Sequence, residues 1–476
     1  DSFAITYFKQ IMERAGKPYL ILELDEHDSS VGYETRIEAA LNSFRNHSKR
    51  NKSPSTTYDG VNTLKTVSSI GNKTLLLPCI DSHSSKLCEA VLIRNSIDAR
   101  LVPVYEESIL SSLSTNTGQC LPVNIVLHCF IDYIRKEKLN PSECVIWMLD
   151  SNLACNIKMY PYFIKSSLEA LGGGLEHVEE YVGSLSFADI SLRASSEAYF
   201  AFMFGGMVRK IACKIRPYET VKGLTDLTVS ESLKILYNAF LGQNSLEQAL
   251  NRVVSMFKKI ETVVESRPKV AIFGDIYVRD NDVVNKNIIK TIEESGGEAV
   301  TMPMSDFAKM IADPYTKRWF RMGLYRNAIQ TRMMLSYISI QERKYVNIFN
   351  EVLQEEPQEY YVDTKELFDK YNIKLEHSGE SSDNIVKTYI LKKNNPDIAL
   401  FIALKPIFCC AGLVTEAMST TIEDITGVPV VTLTYDGTTK SINQKIIPHI
   451  MYLKRNKDNS DANEKDTELQ MDRVGV

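Results

Sequence analysis

Nine cysteines, at positions 79, 88, 120, 129, 144, 155, 213, 409 and 410, are the residues of this chain whose chemistry best suits a metal or redox centre. No C-x2-C pair occurs, so local spacing spells neither a zinc ribbon nor a ferredoxin-type run. Any metal site must gather sulfurs from distant segments. Three contexts share one placement. Asn116-Thr117-Gly118-Gln119-Cys120-Leu121-Pro122 is a Gly-containing turn ahead of a helix signalled by Val123, Val126, Leu127 and Phe130. Ser151-Asn152-Leu153-Ala154-Cys155-Asn156 follows the apolar run Val145 to Leu149 and precedes a helix near Met159. Phe408-Cys409-Cys410-Ala411-Gly412 follows a further apolar run and leads into helical spacing over Leu413 to Met418, so one of Cys409 and Cys410 repeats the theme. A helix amino terminus stabilises a thiolate and lowers its pKa, which prepares a cysteine as a metal ligand. Cys79, Cys88, Cys129, Cys144 and Cys213 have no such setting and read as small apolar core residues.

The composition sets the class of protein that carries these groups. A chain of 476 residues is too long for one ordinary core and predicts two to four units. With 44% hydrophobic and 24% charged residues and a mean hydropathy of -0.16, it is a packed globular chain. The net charge of -5 argues against a general nucleic-acid binder, which needs a basic excess or stripe. The longest apolar stretch, Ile398 to Leu413, is broken by Lys405 and Pro406, so no membrane span is expected. The odd cysteine count, wide spacing and lack of a signal-peptide pattern disfavour a disulfide framework and point to a reducing, cytoplasmic setting. The chain opens on Asp1 rather than Met and is expected to be a piece of a longer polypeptide.

Residues 1–46 read as an N-terminal extension, with a helical piece at Phe8 to Arg14, a strand-like run Tyr19 to Leu24 and a helix Glu34 to Phe44. Residues 47–73, rich in Ser, Lys, Asn and Thr, read as a linker. From Thr74 short apolar runs alternate with helical periods: strands at Leu75 to Leu77, Ala99 to Val104, Val145 to Leu149 and His177 to Val182, and helices at Ser84 to Arg94, after Cys120, and at Met159 to Leu171. A mainly helical region covers 188–265. The second alternating set has strands at Val270 to Gly274, Glu298 to Met302, Asp397 to Leu404 and Val428 to Leu433, and helices at Val284 to Glu294, from Asp306 to Glu355, and at Thr421 to Ile425. Strands alternating with helices of ten or more residues predict an α/β fold with parallel sheets. The expected units are 74–266, a first α/β domain with the helical region, and 267–455, a second α/β domain, followed by a charged tail at 456–476.

In open parallel sheets ligands bind beyond the carboxyl ends of the strands, where all three cysteine contexts fall. The polar run Gly274 to Asp282 also follows a strand, and is read either as a salt-bridged surface loop or as a contact with a ligand. Asp436-Gly437-Thr438 reads as a plain turn, and His83 and His128 as structural. Gly172 to Gly174 closes a helix.

The segments Asn116 to Asn124, Ser151 to Tyr160 and Cys409 to Met418, in this order between two alternating units, resemble the 2-hydroxyacyl-CoA dehydratase and benzoyl-CoA reductase family. Pro18 to His27 and Lys269 to Asp282 are similar to the dehydratase-like C-terminal part of large CoA-substrate-specific enzyme activase proteins. The resemblance implies two flavodoxin-like parallel-sheet domains with a helical connecting region and a short N-terminal extension. It also implies an iron-sulfur cluster, either [4Fe-4S] or double-cubane, in the cleft between them, held by Cys120, Cys155, and Cys410 or Cys409, with one iron open to water or substrate. It implies as partners an ATP-hydrolysing activator domain or protein, an acyl-CoA or other small-molecule substrate, and a homodimer. This chain has no G-x-x-x-x-G-K-[ST] run of its own, so the ATPase is expected elsewhere. Two further readings stand beside an iron-sulfur reductase or dehydratase component. One is a cluster-bearing electron-transfer module reducing small molecules; the other is a non-catalytic α/β ligand-binding or scaffold protein.

Overall fold

The computed structural model describes residues 70–457, apart from 150–154, 184–186, 188–189, 356–357, 375–378 and 439–441; before residue 70 it describes 16–22, 30–50 and isolated positions. Helix α1 spans Ser30–Arg50. The first half then runs β1 (Thr74–Pro78), α2 (Ser82–Arg94), β2 (Ala99–Val102), α3 (Glu106–Ser112), α4 (Leu121–Lys136), β3 (Cys144–Leu149), α5 (Tyr160–Leu171) and β4 (Glu179–Gly183). A helical region follows: α6 (Leu192–Ile215), α7 (Leu224–Phe240) and α8 (Leu246–Phe257). The second half is β5 (Lys269–Gly274), α9 (Ile276–Asp280), α10 (Ile288–Glu294), β6 (Glu298–Val300), α11 (Met304–Arg321), α12 (Tyr325–Leu353), α13 (Thr364–Lys370), α14 (Glu380–Asn394), β7 (Ile398–Pro406), α15 (Cys410–Ala417), α16 (Ser419–Thr426) and β8 (Val430–Tyr435).

Each half builds a four-stranded, all-parallel sheet, ordered β2-β1-β3-β4 and β6-β5-β7-β8. This is the flavodoxin-like doubly wound order, repeated. Alternation along the central strands sorts their side chains to two faces. Leu76 and Ile146 of the first sheet share one apolar cluster with Val123, Leu127 and Phe130 of α4 and with Val270, Ile272, Leu400 and Ile402 of the second sheet. The two halves therefore share a continuous core. On the opposite faces, Leu75 and Trp147 pack with Leu87 of α2 and Phe204 of α6, while Phe273 and Phe401 pack with Ile385 and Ile390 of α14. Among the described residues no helix is long and apolar enough to cross a membrane.

Several sequence expectations shift. Residues 19–22 of the strand-like run Tyr19 to Leu24 carry no regular structure, because no described strand lies beside them to complete a ladder; the remainder lies outside the described residues. The helix expected from Val284 starts only at Ile288, since Asn281 to Asn287 forms turns in which Lys286 and Asn287 are left-handed. The helix expected to end at Phe44 continues to Arg50. Residues 51–69 of the linker and 458–476 of the tail lie outside the described residues. Helices α3, α9, α13 and α14 had no counterpart in the sequence reading.

Helix α6 is the wedge between the halves. Its Gly205 faces α2, where an added Cβ would lie 2.7 Å from the Cα of Ser84, and Gly206 faces Pro303, where it would lie 2.9 Å from the Cα. One turn later Arg209 reaches the carboxyl ends of both central strands. Its Nη2 donates to Asp81 Oδ1 at 2.8 Å, beyond β1, and its Nη1 to Asp282 Oδ1 at 2.8 Å, beyond β5. The Asn281 amide donates directly to the Cys79 carbonyl at 3.0 Å, closing the same joint. Burial alone would raise the Asp81 carboxyl, but Arg209, His83 and the hydrogen bonds from Ser84 and Arg209 outweigh it and hold the group well below the usual carboxylate range.

Replacing Arg209 by Ala leaves two carboxylates facing each other in a closed joint and is expected to cost about 3–5 kcal/mol of stability near neutral pH. Because the folded Asp81 pKa is depressed, its contribution is present above the unfolded carboxylate pKa and is lost as pH falls further. The stability gap between wild type and R209A should therefore narrow steadily below about pH 4. Urea denaturation across that range measures it, and a gap independent of pH would contradict the assigned role.

Candidate functional site

The Arg209 joint sets the carboxyl edges of the two sheets against each other, and the turns leaving those edges converge. From the first half comes Cys120, the residue capping the amino terminus of α4. The Leu121 amide donates to the Ile407 carbonyl at 3.4 Å, tying this turn to the one that leaves β7. Cys155 follows β3 and caps a short 3-10 turn, Asn156–Met159, ahead of α5; the preceding Ser151 to Ala154 lie outside the described residues. From the second half comes Cys409, which caps α15 and accepts from the Gly412 amide at 3.3 Å. Phe408, held at a left-handed φ of 61°, makes the sharp turn that delivers it. Its neighbour Cys410 is exposed and turns away from this group. Of the adjacent pair, Cys409 is thus the one brought to Cys120 and Cys155.

Two carboxylates join the sulfurs. Asp275 leaves β5, and β5 runs tight against β7 up to that point because Gly274 sits at φ +114°, where an added Cβ would lie 2.1 Å from the Leu404 carbonyl oxygen. The second is Glu380, in the first turn of α14. Ligand atoms of Asp275, Glu380 and Cys409 all lie within 4.8 Å of one another. Around them, Lys387 donates to the Gly274 carbonyl at 3.2 Å and to Asn384 Oδ1 at 3.1 Å, and lies over the Phe307 ring. Arg279 is paired with Asp280. Within Gly274 to Asp282, Gly274 and Val278 to Asn281 are buried and the rest half-buried, so the expected salt bridges are present but the reading as a surface loop is overturned.

The electrostatics of the group differ from the sequence expectation of thiolates favoured by helix termini. Cys120 and Cys409 do cap helices, yet the Cys120 thiol is pushed well above its ordinary value, first by its hydrogen bond with Cys409 and then by burial. Tyr160 opposes this by hydrogen-bonding to the same sulfur. Cys155 is also raised, by burial and then by Glu380, with Cys409 and Asp275 adding to it. Burial and then Glu380 push Asp275 up to about 7, and burial raises Glu380. The dipole of one helix end is outweighed by enclosure and by other acids in the same space. High thiol pKa values are not in themselves diagnostic here, since burial lifts Cys79, Cys129 and Cys213 to about 12 as well. What separates Cys120 and Cys155 is that their neighbours are other potential metal ligands.

Five acidic groups, Cys120, Cys155, Cys409, Asp275 and Glu380, thus occupy one enclosed region. Soft sulfur donors in this number suit a thiolate-favouring metal or iron-sulfur centre, and the carboxylates add hard oxygen donors. The other sequence candidates lie elsewhere. Cys79, Cys88, Cys129, Cys144 and Cys213 are buried, Cys79 at the joint of Asp81 and Arg209 and the others in the apolar cores, His128 pairs with Thr115 at 3.1 Å, and Asp436 accepts from the Thr438 amide in a local turn. A larger concavity of about 1120 Å³ opens at the amino-terminal edge of the second sheet, but its lysines are already engaged, with Lys210 on Glu355, Lys269 on Asp397 and Lys393 on Glu359. No protein-family model matches this chain, and no curated protein sequence matches it.

In the metal-free protein at neutral pH, alkylation should separate the adjacent cysteines. Cys410 is expected to react with iodoacetamide at least tenfold faster than Cys409, Cys120 or Cys155, as read by peptide mass spectrometry on the folded chain. Comparable rates at 409 and 410 would mean that Cys409 is not enclosed.

Proposed function

We propose that this chain is the iron-sulfur component of a system like the 2-hydroxyacyl-CoA dehydratases and benzoyl-CoA reductases, receiving low-potential electrons from an ATP-dependent activator and acting on a small-molecule substrate at the cluster. The observation that carries this reading is the convergence of Cys120, Cys155 and Cys409, from three separate turns, in the cleft between two parallel sheets. The donor set fits the group: three thiols and two carboxyls crowd one region, where burial and then the Glu380 charge raise Cys155 and Asp275, and a cationic metal-sulfide core would offset that cost. When bound, the cluster would supply one-electron chemistry at low potential and a Lewis-acidic iron.

The chain's own residues have supporting tasks in this reading. Tyr160 hydrogen-bonds to the Cys120 sulfur, an outer contact of the kind that tunes a ligand's basicity. Lys387, whose amine burial pushes below its ordinary range, stands beside the acids as a donor whose hydrogen bonds go to a carbonyl and an amide. Ligation requires the raised thiols to lose their protons, so uptake should weaken as pH falls. With no phosphate-cradling Gly-rich loop in the sequence, ATP hydrolysis is assigned to the activator. A cytoplasmic setting, an acyl-CoA or related substrate, and a homodimer belong to the same proposal.

Anaerobic purification and reconstitution test it. The expected result is a brown protein holding about four or more irons per chain. Cys155→Ser should lose most of that iron, while Cys213→Ser, deep in α6, should keep it. With ATP alone the chain should not turn over; with the activator it should be reduced. A colourless protein with no iron after reconstitution, or equal iron loss in both variants, would overturn the reading.

A further inference from the structure

The carboxylates raise a question that three cysteines leave open. Glu380 lies 9% exposed in the first turn of α14, and its Oε1 has no hydrogen-bond partner among the described residues. Its carboxylate also accepts from the Ile276 amide, which fixes the side chain from the β5 turn. An enclosed carboxylate oxygen without a partner is costly; ligand atoms of Asp275 and Cys409 lie within 4.8 Å of the Glu380 carboxylate, and Lys387 and Arg279 supply the positive charge that acts on it. Asp275 is already accounted for, because its Oδ1 caps α9 by accepting from the Val278 amide at 2.8 Å. Lys387 sits two turns along the same face of α14, yet bonds elsewhere. Gly379 before it offers no side chain to cap the helix, so Glu380 is the first acidic group at that amino terminus.

We propose that the Glu380 carboxylate is the fourth protein ligand of the metal centre, which in its resting form is held by three sulfurs and one oxygen. This rests on the iron-sulfur reading above and adds to it the identity of the fourth donor. The unpartnered Oε1 is the ligating atom, on a carboxylate that has an oxygen within 4.8 Å of the Cys409 sulfur, and the Ile276 amide holds the carboxylate in register. An oxygen donor marks one iron as different from the three bound by thiolates. It is also the donor that an incoming substrate oxygen can replace without displacing a sulfur. Glu380 would then guard the reactive position until substrate arrives.

The test reads the ligand directly, independently of turnover. Wild type, Glu380→Gln and Asp275→Asn are reconstituted anaerobically, reduced chemically, and examined in oxygen-17-labelled water by electron-nuclear double resonance. Wild type is expected to show no strongly coupled solvent oxygen, because the position is filled by Glu380. E380Q should gain that coupling as water takes the vacated place, while keeping its iron, and D275N should behave as wild type. Strong oxygen-17 coupling in wild type would overturn the proposal and leave the iron-sulfur reading intact. Coupling gained in D275N and not in E380Q would assign the ligand to Asp275 and overturn it equally. Wild type that takes up no iron would remove both the proposal and the reading on which it stands. The wild-type spectrum decides the matter even where a variant folds poorly.

Discussion

The position of every group in the cleft depends on Arg209. One guanidinium, carried on a helix that belongs to neither sheet, bonds Asp81, just past β1, and Asp282, just past the helix α9 that follows β5, the equivalent central strand of the other half. It can reach both only because Gly205 and Gly206, one turn earlier, let α6 come into backbone contact with the start of α2 and with Pro303. Removing the side-chain volume at those two positions is thus a precondition for the charge pairing. The pairing in turn sets the carboxyl edges face to face. A buried ion pair is weak evidence for net stability, but it is strong in fixing a register, because misplacing it strands charges in a closed joint.

That register has a chemical consequence. Parallel strands send the turns after them to one edge, so two sheets joined edge to edge bring together the turns most able to carry polar groups. The first half contributes Cys120 and Cys155; the second contributes Cys409, Asp275 and Glu380. Each group alone has an ordinary local reason to be where it is, as a helix cap or a first-turn acid. Their sum is a concentration of acids that burial makes unfavourable when ionised. The gathering of ligand atoms, rather than any single pKa, marks the site as one suited to a bound cation.

The sequence made the sheet architecture legible because the strands are short apolar runs separated by helical periods, and tertiary packing did not override them. It also made the cysteine turns legible, since a thiol in a polar Gly-containing turn is a poor core filler. Its choice between Cys409 and Cys410 stayed open because adjacent residues on a turn differ only in direction, and direction was set by the left-handed Phe408, which no local pattern announces. The sign of the thiol pKa shift was missed for a related reason: helix ends are local and readable, whereas enclosure by the opposite half is not. Glu380 went unread altogether. Its helix carries Glu380, Asp383, Asn384 and Lys387 at spacings of three and four, a polar stripe that normally marks a solvent face. Here the stripe is buried, because α14 lies beneath β5 and β7 with its polar face turned to the cleft. The usable signal was Ile385 and Val386 on the other side of that stripe, which leaves little face for water.

The distribution of donors between the halves also makes the centre a coupling device. Two of the three sulfurs belong to one half, while the third sulfur and both carboxylates belong to the other, so no half can hold the donor set alone. Any metal that binds the complete set binds only the joined arrangement, and its binding free energy is added to the joint made by Arg209 and Asn281. Conversely, loosening the joint separates the ligands and opens the core that the two sheets share. Metal retention and association of the halves are therefore two readings of one equilibrium, with the mineral content of the cleft reporting how firmly the guanidinium holds its two carboxylates.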